Sequence, residues 1–269
     1  MINFPNCKIN IGLFITEKRP DGFHALESIF LPVPLCDALE IIPNQTKTAT
    51  LQVLGLNIEG ANTDNIVYKA WQLLRDKYSI GGVDIALIKK IPTGAGLGGG
   101  SSDAAFALRM LNNIFALQLS TEQLEQHAAQ LGSDCPFFIQ NAPCFVSGRG
   151  DILEPIDINL KGYHIHIIHP GIHISTPKAF SLITPKPTLV DLHSLAQIPV
   201  IDWRETVVND FESPIFELHP VLSNIKQTLY QNGALYASMS GSGSAVYGIF
   251  KEEKKMTFDD QFFHWSGQL

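Results

Sequence analysis

The 269 residues carry 19 basic and 26 acidic side chains, a formal net charge of −7, with 45% hydrophobic and 17% charged residues. That balance fits a soluble globular chain of one large or two modest domains with a sizeable core. It excludes the Lys/Arg runs of an electrostatic nucleic-acid footprint and the ~20-residue uncharged apolar run of a membrane helix. No basic stretch leads into an apolar one at the start, so no signal peptide is expected. Cys7, Cys36, Cys135 and Cys144 are scattered without Cys-x-x-Cys spacing, which reads as four free thiols in a reducing cytosol.

Ile9 to Ile15 predicts an apolar strand, closed by a turn at residues 18–22, and Ala25 to Ile42 one or two more strands. Thr50 to Ile58 alternates as a half-buried strand, and after Asp64 the stripe Ile66, Val67, Ala70, Leu73, Leu74 predicts a helix to about Tyr78. Val83, Ile85 and Leu87 alternate in a strand that runs into a glycine-rich loop. Beyond the loop, Ala104, Leu108, Leu111 and Phe115 share one helical face and Phe106, Met110 and Ile114 another, the pattern of a helix buried on most sides. Ser120 and Gln123 form a capping box for the next helix, which Gly132 stops. Strands follow from Pro143 to about Leu153, and a domain boundary is expected near residue 155. Then come a strand (Tyr163–Ile168), a Pro-rich connection (Thr184–Pro199), a helix (Val221–Gln231) and a strand–glycine turn–strand (Leu235–Phe250). Helices and strands mix without strict alternation, so the fold class is α+β.

Residues 92–105 read Pro-Thr-Gly-Ala-Gly-Leu-Gly-Gly-Gly-Ser-Ser-Asp-Ala-Ala between a strand and a helix. Glycines let the backbone turn tightly and approach a ligand, and the free N–H groups of a helix start suit phosphate oxygens. Gly94-x-Gly96-x-x-Gly99 also satisfies the dinucleotide fingerprint, which alone is weak. The strand before it alternates instead of being apolar throughout, and no acid-ended second strand follows about 20 residues on. No Gly-Lys-Ser/Thr closes the loop, and the protein-kinase signatures are absent from the sequence. A small-molecule kinase loop of another kind is the remaining reading. A dehydrogenase, or a nucleotide-binding protein without catalysis, stays as the alternative.

Pro92-x-x-x-Gly96-Leu97-Gly98-Gly99-Gly100-Ser101-Ser102 resembles the ATP loop of the GHMP kinases. Lys8-Ile-Asn10-Ile-Gly-Leu, Arg19-Pro-Asp21-Gly22-Phe23-His24-x-Leu26 and Leu131-Gly132-Ser133-Asp134-Cys-Pro136-Phe resemble further family segments. So do His169-Pro170-Gly171, Thr176-Pro177 to Phe180, Asn209-Asp210-x-Glu212 and Ser238-Met-Ser240-Gly241-Ser242-Gly243-Ser244. The resemblance spans nearly the whole chain, and the Asp-Gly-Phe-His segment is similar to the branch acting on 4-diphosphocytidyl-2-C-methyl-D-erythritol. It implies a two-domain GHMP kinase fold: a ribosomal-S5-domain-2-like α/β domain over 1–155 and a ferredoxin-like α+β domain over 156–269. The implied reaction moves the γ-phosphoryl of ATP, with Mg²⁺, to the 2-hydroxyl of that cytidylated alcohol in isoprenoid precursor synthesis. Another GHMP small-alcohol kinase, of mevalonate or homoserine type, is the nearest alternative.

Through the resemblance, Asp134 is the candidate base and Lys8 its cationic neighbour. Pro92, Thr93, Gly94, Ala95, Gly96, Leu97, Gly98, Gly99, Gly100, Ser101, Ser102, Asn65, Gly241 and Gly243 are assigned to ATP. Asn10, Phe23, His24, Thr176 and Phe180 are assigned to the acceptor, with aromatic rings stacking on cytosine and imidazole bonding its edge. The family usually has Tyr where Phe23 stands. Asp103 replaces the Asn often seen after the serine pair, and capping of the helix or a contact to Mg²⁺ would explain it; the metal ligands stay unassigned. His164, His166, His169 and His173 lack a completing carboxylate or Cys and are taken as surface residues. A cytoplasmic enzyme is expected, with monomer and homodimer both open.

Overall fold

The computed structural model describes residues 1–58 and 60–269. The chain opens with β1 (Ile2–Asn3), β2 (Asn6–Lys18), β3 (His24–Cys36), β4 (Ala38–Pro43) and β5 (Ala49–Gly55). Helix α1 (Ile66–Tyr78), β6 (Val83–Lys89), α2 (Gly99–Ile114), α3 (Thr121–Leu131) and the single turn α4 (Phe137–Gln140) follow. Next are β7 (Cys144–Ser147), β8 (Ile152–Pro155), β9 (His164–His169), α5 (Thr176–Ser181), α6 (Glu212–Leu218) and α7 (Pro220–Gln231). Strands β10 (Tyr236–Met239), β11 (Val246–Phe250) and β12 (Phe263–Gln268) complete the order. Three short 3-10 turns (Asn62–Asp64, Leu192–Gln197, Val200–Glu205) punctuate the loops, two of them around the Pro-rich connection.

Packing divides the chain into two compact units whose segments interleave: residues 1–7, 35–93 and 98–142 form one, and 8–34, 94–97 and 143–269 the other. In the first unit a sheet of order β1-β4-β6-β5 is antiparallel except for the β5–β6 pair. Helices α1 and α3 pack on α2, whose Ala104, Leu108, Leu111 and Met110 are fully buried, while Phe106, Ile114 and Phe115 of the two apolar faces are half-buried. The Asn65 side chain caps α1 by accepting from Val67 N at 2.9 Å. The Ser120–Gln123 capping box of α3 forms in both directions, and Gly132 ends that helix.

The second unit holds a four-stranded antiparallel sheet, β10-β11-β9-β12. Its core gathers Ile15, Phe211, Leu222, Ile225, Leu229, Met239, Val246 and Phe250. Strands β2, β3, β7 and β8 make a third sheet in that order. Among the described residues no helix is long and apolar enough to cross a membrane.

Candidate active site

In the first unit a cavity of about 590 Å³ opens along β5 and the start of α1, lined by Leu51, Val53, Leu56, Ile58, Asn65 and Thr93, with Lys89, Gly100 and Asp103 also in its wall. That volume suits a small organic ligand, with apolar walls and a few polar groups to orient it. Asn65, assigned to ATP from the sequence, also caps a helix. Its Oδ1 caps α1, and its side chain also lines the cavity.

Asp103 neither caps α2, whose first turn is preceded by Gly98 with no side-chain cap, nor stands ready for a metal. Its Oδ2 accepts from Lys89 Nζ at 2.7 Å, and Lys89 also donates to Asp37 Oδ2. Asp37 Oδ1 further accepts from the backbone N–H of Lys90 (2.6 Å) and Ile91 (2.9 Å). All three side chains are buried. Burial pushes the Asp103 carboxyl up to about 8; the Lys89 charge pulls against this and the Asp37 charge adds to it. Burial also disfavours the Lys89 ammonium, yet its two carboxylates hold its pKa above the ordinary value. Asp103 Oδ1 and Ser102 Oγ are buried atoms with no hydrogen-bond partner. Spacings of 14 and 52 residues hid this cluster from any reading of the sequence.

The middle of the glycine loop, residues 94–97, belongs with the second unit, where it lies against the turn between β10 and β11. Ser240 Oγ donates to Gly96 O at 2.9 Å, Ala245 N to Ala95 O at 3.1 Å, and Lys8 N to Leu97 O at 2.9 Å. Gly96 has φ +84°, and a Cβ there would overlap Ser240 O. A Cβ on Gly243 would overlap Ala95 and Gly96 backbone atoms in turn. Gly243 thus brings the C-terminal glycine motif into backbone contact with the loop, a supporting role beside its assignment to ATP. The exposed ring of His173, taken as a plain surface residue, also rests against Gly94.

Lys8 is buried, unlike most strand lysines. Its Nζ donates to Asn10 Oδ1 at 2.6 Å and lies 4.4 Å from the Phe30 ring centroid. Asn10 Nδ2 donates to Ser28 Oγ (2.9 Å), which donates to Gly12 O (2.6 Å); Tyr247 Oη donates to Asn10 O at 2.6 Å. Lys8 and Asn10 thus bond directly, and Ser28, a residue the sequence reading missed, ties the Asn10 side chain to the backbone at Gly12. Asp134 sits half-buried in the turn after α3, accepting from Ser133 Oγ at 3.3 Å. Ser101 lies against the Cys135 thiol, which burial pushes up to about 11.

His24 and Phe180 stack at 5.0 Å with 23° between planes, and Phe211 meets Phe180 edge-on at 5.0 Å. Phe23 is 56% exposed, with the Arg149 guanidinium 5.3 Å from its ring centroid. Thr176 Oγ1 and Ser242 Oγ lie 3.2 Å apart, so Thr176 joins the C-terminal glycine motif. The surface reading of His166 is corrected: it is 1% exposed, and its Nδ1 hydrogen-bonds His264 Nε2 at 2.9 Å across the β9–β12 pair. Among the described residues no group of three or more His, Cys, Asp or Glu side chains is placed to hold a metal ion.

Residues 65–149 match the family profile described as "GHMP kinases N terminal domain" and residues 194–257 the one described as "GHMP kinases C terminal". The chain is 53% identical to the 4-diphosphocytidyl-2-C-methyl-D-erythritol kinase of Bacteroides thetaiotaomicron, with 100% of each chain covered. A crystal structure of a 4-(cytidine 5'-diphospho)-2C-methyl-D-erythritol kinase superposes with a TM-score of 0.77 at 31% identity, over 93% of this chain and 90% of that one. The mevalonate kinase of Methanococcus jannaschii shares the fold at 15% identity and a TM-score of 0.72, over 100% of this chain and 98% of that one. Among the described residues, β6, the strand before Gly94-x-Gly96-x-x-Gly99, pairs parallel with β5 and antiparallel with β4, which is not the all-parallel sheet of a dinucleotide-binding fold. With its two-domain mixture of helices and sheets and full-length identity to curated relatives, the chain belongs to the GHMP kinases, in the 4-diphosphocytidyl-2-C-methyl-D-erythritol kinase family.

Proposed function

We propose that the protein transfers the γ-phosphoryl of ATP to the 2-hydroxyl of 4-diphosphocytidyl-2-C-methyl-D-erythritol, giving the 2-phosphate and ADP. The observation that carries this reading is the 53% identity, over the whole of both chains, to a kinase named for that substrate. The glycine loop and the cavity beside Asn65 supply what a nucleotide triphosphate needs: backbone donors and a walled pocket for the nucleoside. In this reading residues 1–155 are the nucleotide-binding domain and 156–269 the second family domain.

The roles assigned to single residues follow from phosphoryl-transfer chemistry and the resemblance. Asp134 accepts the proton of the attacking hydroxyl, and Lys8, its ammonium oriented by Asn10 and Ser28, offsets charge on the moving phosphoryl group. Backbone N–H groups of residues 94–100 hold the phosphates. His24, Phe23 and Phe180 receive the cytosine, while Asn10 and Thr176 meet the polyol and its phosphates.

Mg²⁺ would enter on the ATP phosphates, where it neutralises charge and keeps most of its waters. Asp103 does not fit as its ligand, since its carboxyl is buried and ion-paired with the Lys89 ammonium.

A coupled ADP-release assay across the cytidylated methylerythritol, mevalonate, homoserine and galactose tests the substrate. Turnover confined to the cytidylated alcohol is expected, and equal or greater turnover of another alcohol refutes it. Asp134→Asn is expected to lower kcat at least 100-fold while leaving ATP affinity within a few-fold, as loss of a general base does. Retained turnover excludes Asp134 as the base.

A further inference from the structure

The glycine loop hangs on two stems: the residues that leave β6, from Lys90, and the start of α2, from Gly99. One buried ion cluster holds both. Asp37, between β3 and β4, fixes the entry stem. Its Oδ1 accepts from the backbone N–H groups of Lys90 (2.6 Å) and Ile91 (2.9 Å), and its Oδ2 accepts from Lys89 Nζ. Lys89, the last residue of β6, reaches the exit stem, where its Nζ donates to Asp103 Oδ2 at 2.7 Å. The Asp37 and Asp103 carboxyls are also hydrogen-bonded to each other. None of the three side chains is more than 2% exposed.

The stems approach so closely here that α2 opens on a glycine. A Cβ on Gly99 would lie 2.7 Å from Ile91 Cγ2 and 3.3 Å from Lys89 Nζ. The backbone of Lys89 is engaged as well, its carbonyl accepting from Leu56 N (3.0 Å) in the cavity wall. Lys89 therefore meets the entry stem, the exit stem and the cavity wall at once.

A buried ion cluster gains little stability over an apolar filling of the same space. What it supplies is direction, because charge-assisted hydrogen bonds are short and fix the groups they join. Direction matters here, since the glycine backbone between the stems has wide freedom of its own. The N–H groups at the start of α2 have no partners within the helix, and the orientation of the stem decides where they point.

We propose that Lys89 is a positioning residue for ATP: by bridging Asp37 and Asp103 it sets the spacing of the two stems and so aims the N–H groups at the start of α2 toward the phosphates. The proposal rests on the reading of this loop as the ATP-phosphate site. Lys89 acts through the backbone and not as a counter-ion of the phosphates, because its charge is already taken up by two carboxyls.

The test is Asp103→Ala in the full chain, assayed well below its Tm. This variant cuts the bridge to the exit stem yet leaves Lys89 and Asp37 as a one-to-one pair, so it strands no buried charge. KM for ATP should rise about tenfold, as loss of one charge-assisted bond to phosphate does. KM for the cytidylated acceptor should stay within about two-fold. So should the inhibition constant of adenosine, which has no phosphate to misplace. Asp103→Asn should bring KM for ATP back to within about threefold of native, because an amide can accept from Lys89 and donate to Asp37.

An unchanged KM for ATP in Asp103→Ala overturns the proposal. An equal rise in the adenosine constant does so too, since Asp103 would then act on the nucleoside itself, and an equal rise in the acceptor KM would mean a general loss of structure. Asp103→Asn as weak as Asp103→Ala also overturns it. Absence of ATP-dependent turnover in the native protein removes the ATP reading along with the proposal. Should Asp103→Ala not fold, the neutral triple variant Asp37→Asn, Lys89→Met, Asp103→Asn replaces it. Exchange of a buried ion network for neutral side chains of similar size is tolerated, and the same split between ATP and adenosine is expected or the proposal fails.

Discussion

Replacing Gly96 with Ala is the sharpest probe of how the two glycine motifs hold each other. At φ +84° an L side chain is strained by about 1–2 kcal/mol even in empty space. Space is lacking as well: the new methyl would overlap Ser240 O, and the backbone would have to retreat by roughly 1.5 Å to restore ordinary contact. Such overpacking costs a further ~1–3 kcal/mol. The retreat would pull on the Ser240 Oγ to Gly96 O and Ala245 N to Ala95 O bonds. A total near 2–5 kcal/mol corresponds to a Tm lower by on the order of 10 °C. A phosphate loop displaced by about 1 Å should also lose about 100-fold in kcat/KM for ATP. Differential scanning fluorimetry and the ADP-release assay measure the two effects.

Gly100→Ala provides the contrast. Its Cβ meets nothing nearer than 3.9 Å inside α2, so Tm should hold or rise slightly, and any loss of ATP affinity there reports close ligand approach. If Gly96→Ala keeps native Tm and native kcat/KM, the close packing of Gly96 on Ser240 is not what shapes the loop.

Two other outcomes are expected. Phe23→Ala combined with Phe180→Ala should raise KM for the cytidylated acceptor by about 10-fold or more while leaving KM for ATP within about two-fold, as loss of aromatic contacts predicts; an unchanged acceptor KM refutes the stacking assignment. Acid should weaken the fold through four histidines, His127, His166, His169 and His264, whose pKa values are all lowered, by burial first. They stay neutral in the native state but protonate once unfolded. Their contribution is thus full above about 6.5 and is lost as pH falls through the folded values. Asp103 works in the opposite direction, so the check is a difference. The Tm of His264→Gln minus that of the native protein should rise between pH 7 and pH 5, and a constant difference argues against the buried pair.

The elements with strong periodicity were legible without coordinates. The α1 stripe ends at Tyr78 as read, and both the capping box at Ser120 and the glycine stop at Gly132 are formed. Strand β12 was missed because Phe263 to Gln268 is short and only half-buried, and the hydrogen bonds to β9 alone define it. Helix α6 opens with Glu212, a residue met in the sequence only as part of a motif. In the structure its carboxylate accepts from Ser238 Oγ, Met239 N and Lys226 Nζ, contacts made through folding over 14 to 27 residues. The same separation explains the site. Residue types in the glycine loop could raise an expectation of phosphate chemistry, whereas Ser28 under Asn10 and Lys89 between two carboxylates depend on tertiary pairing. Asp103 was visible as a departure from the family pattern, but its partner was not.

The bond from Ser240 to Gly96 joins positions 144 residues apart. The loop therefore cannot take its final shape while the chain is being made. At about 5–20 residues per second, roughly 7–29 s separate synthesis of Gly96 from synthesis of Ser240. During that interval α2 has its own sequence in hand, but residues 94–97 have no surface to lie on. A ribosome-bound chain halted before residue 240 would hold the residues of the glycine loop without their geometry. The shape of the loop would then arrive late and abruptly, with the last ninth of the chain.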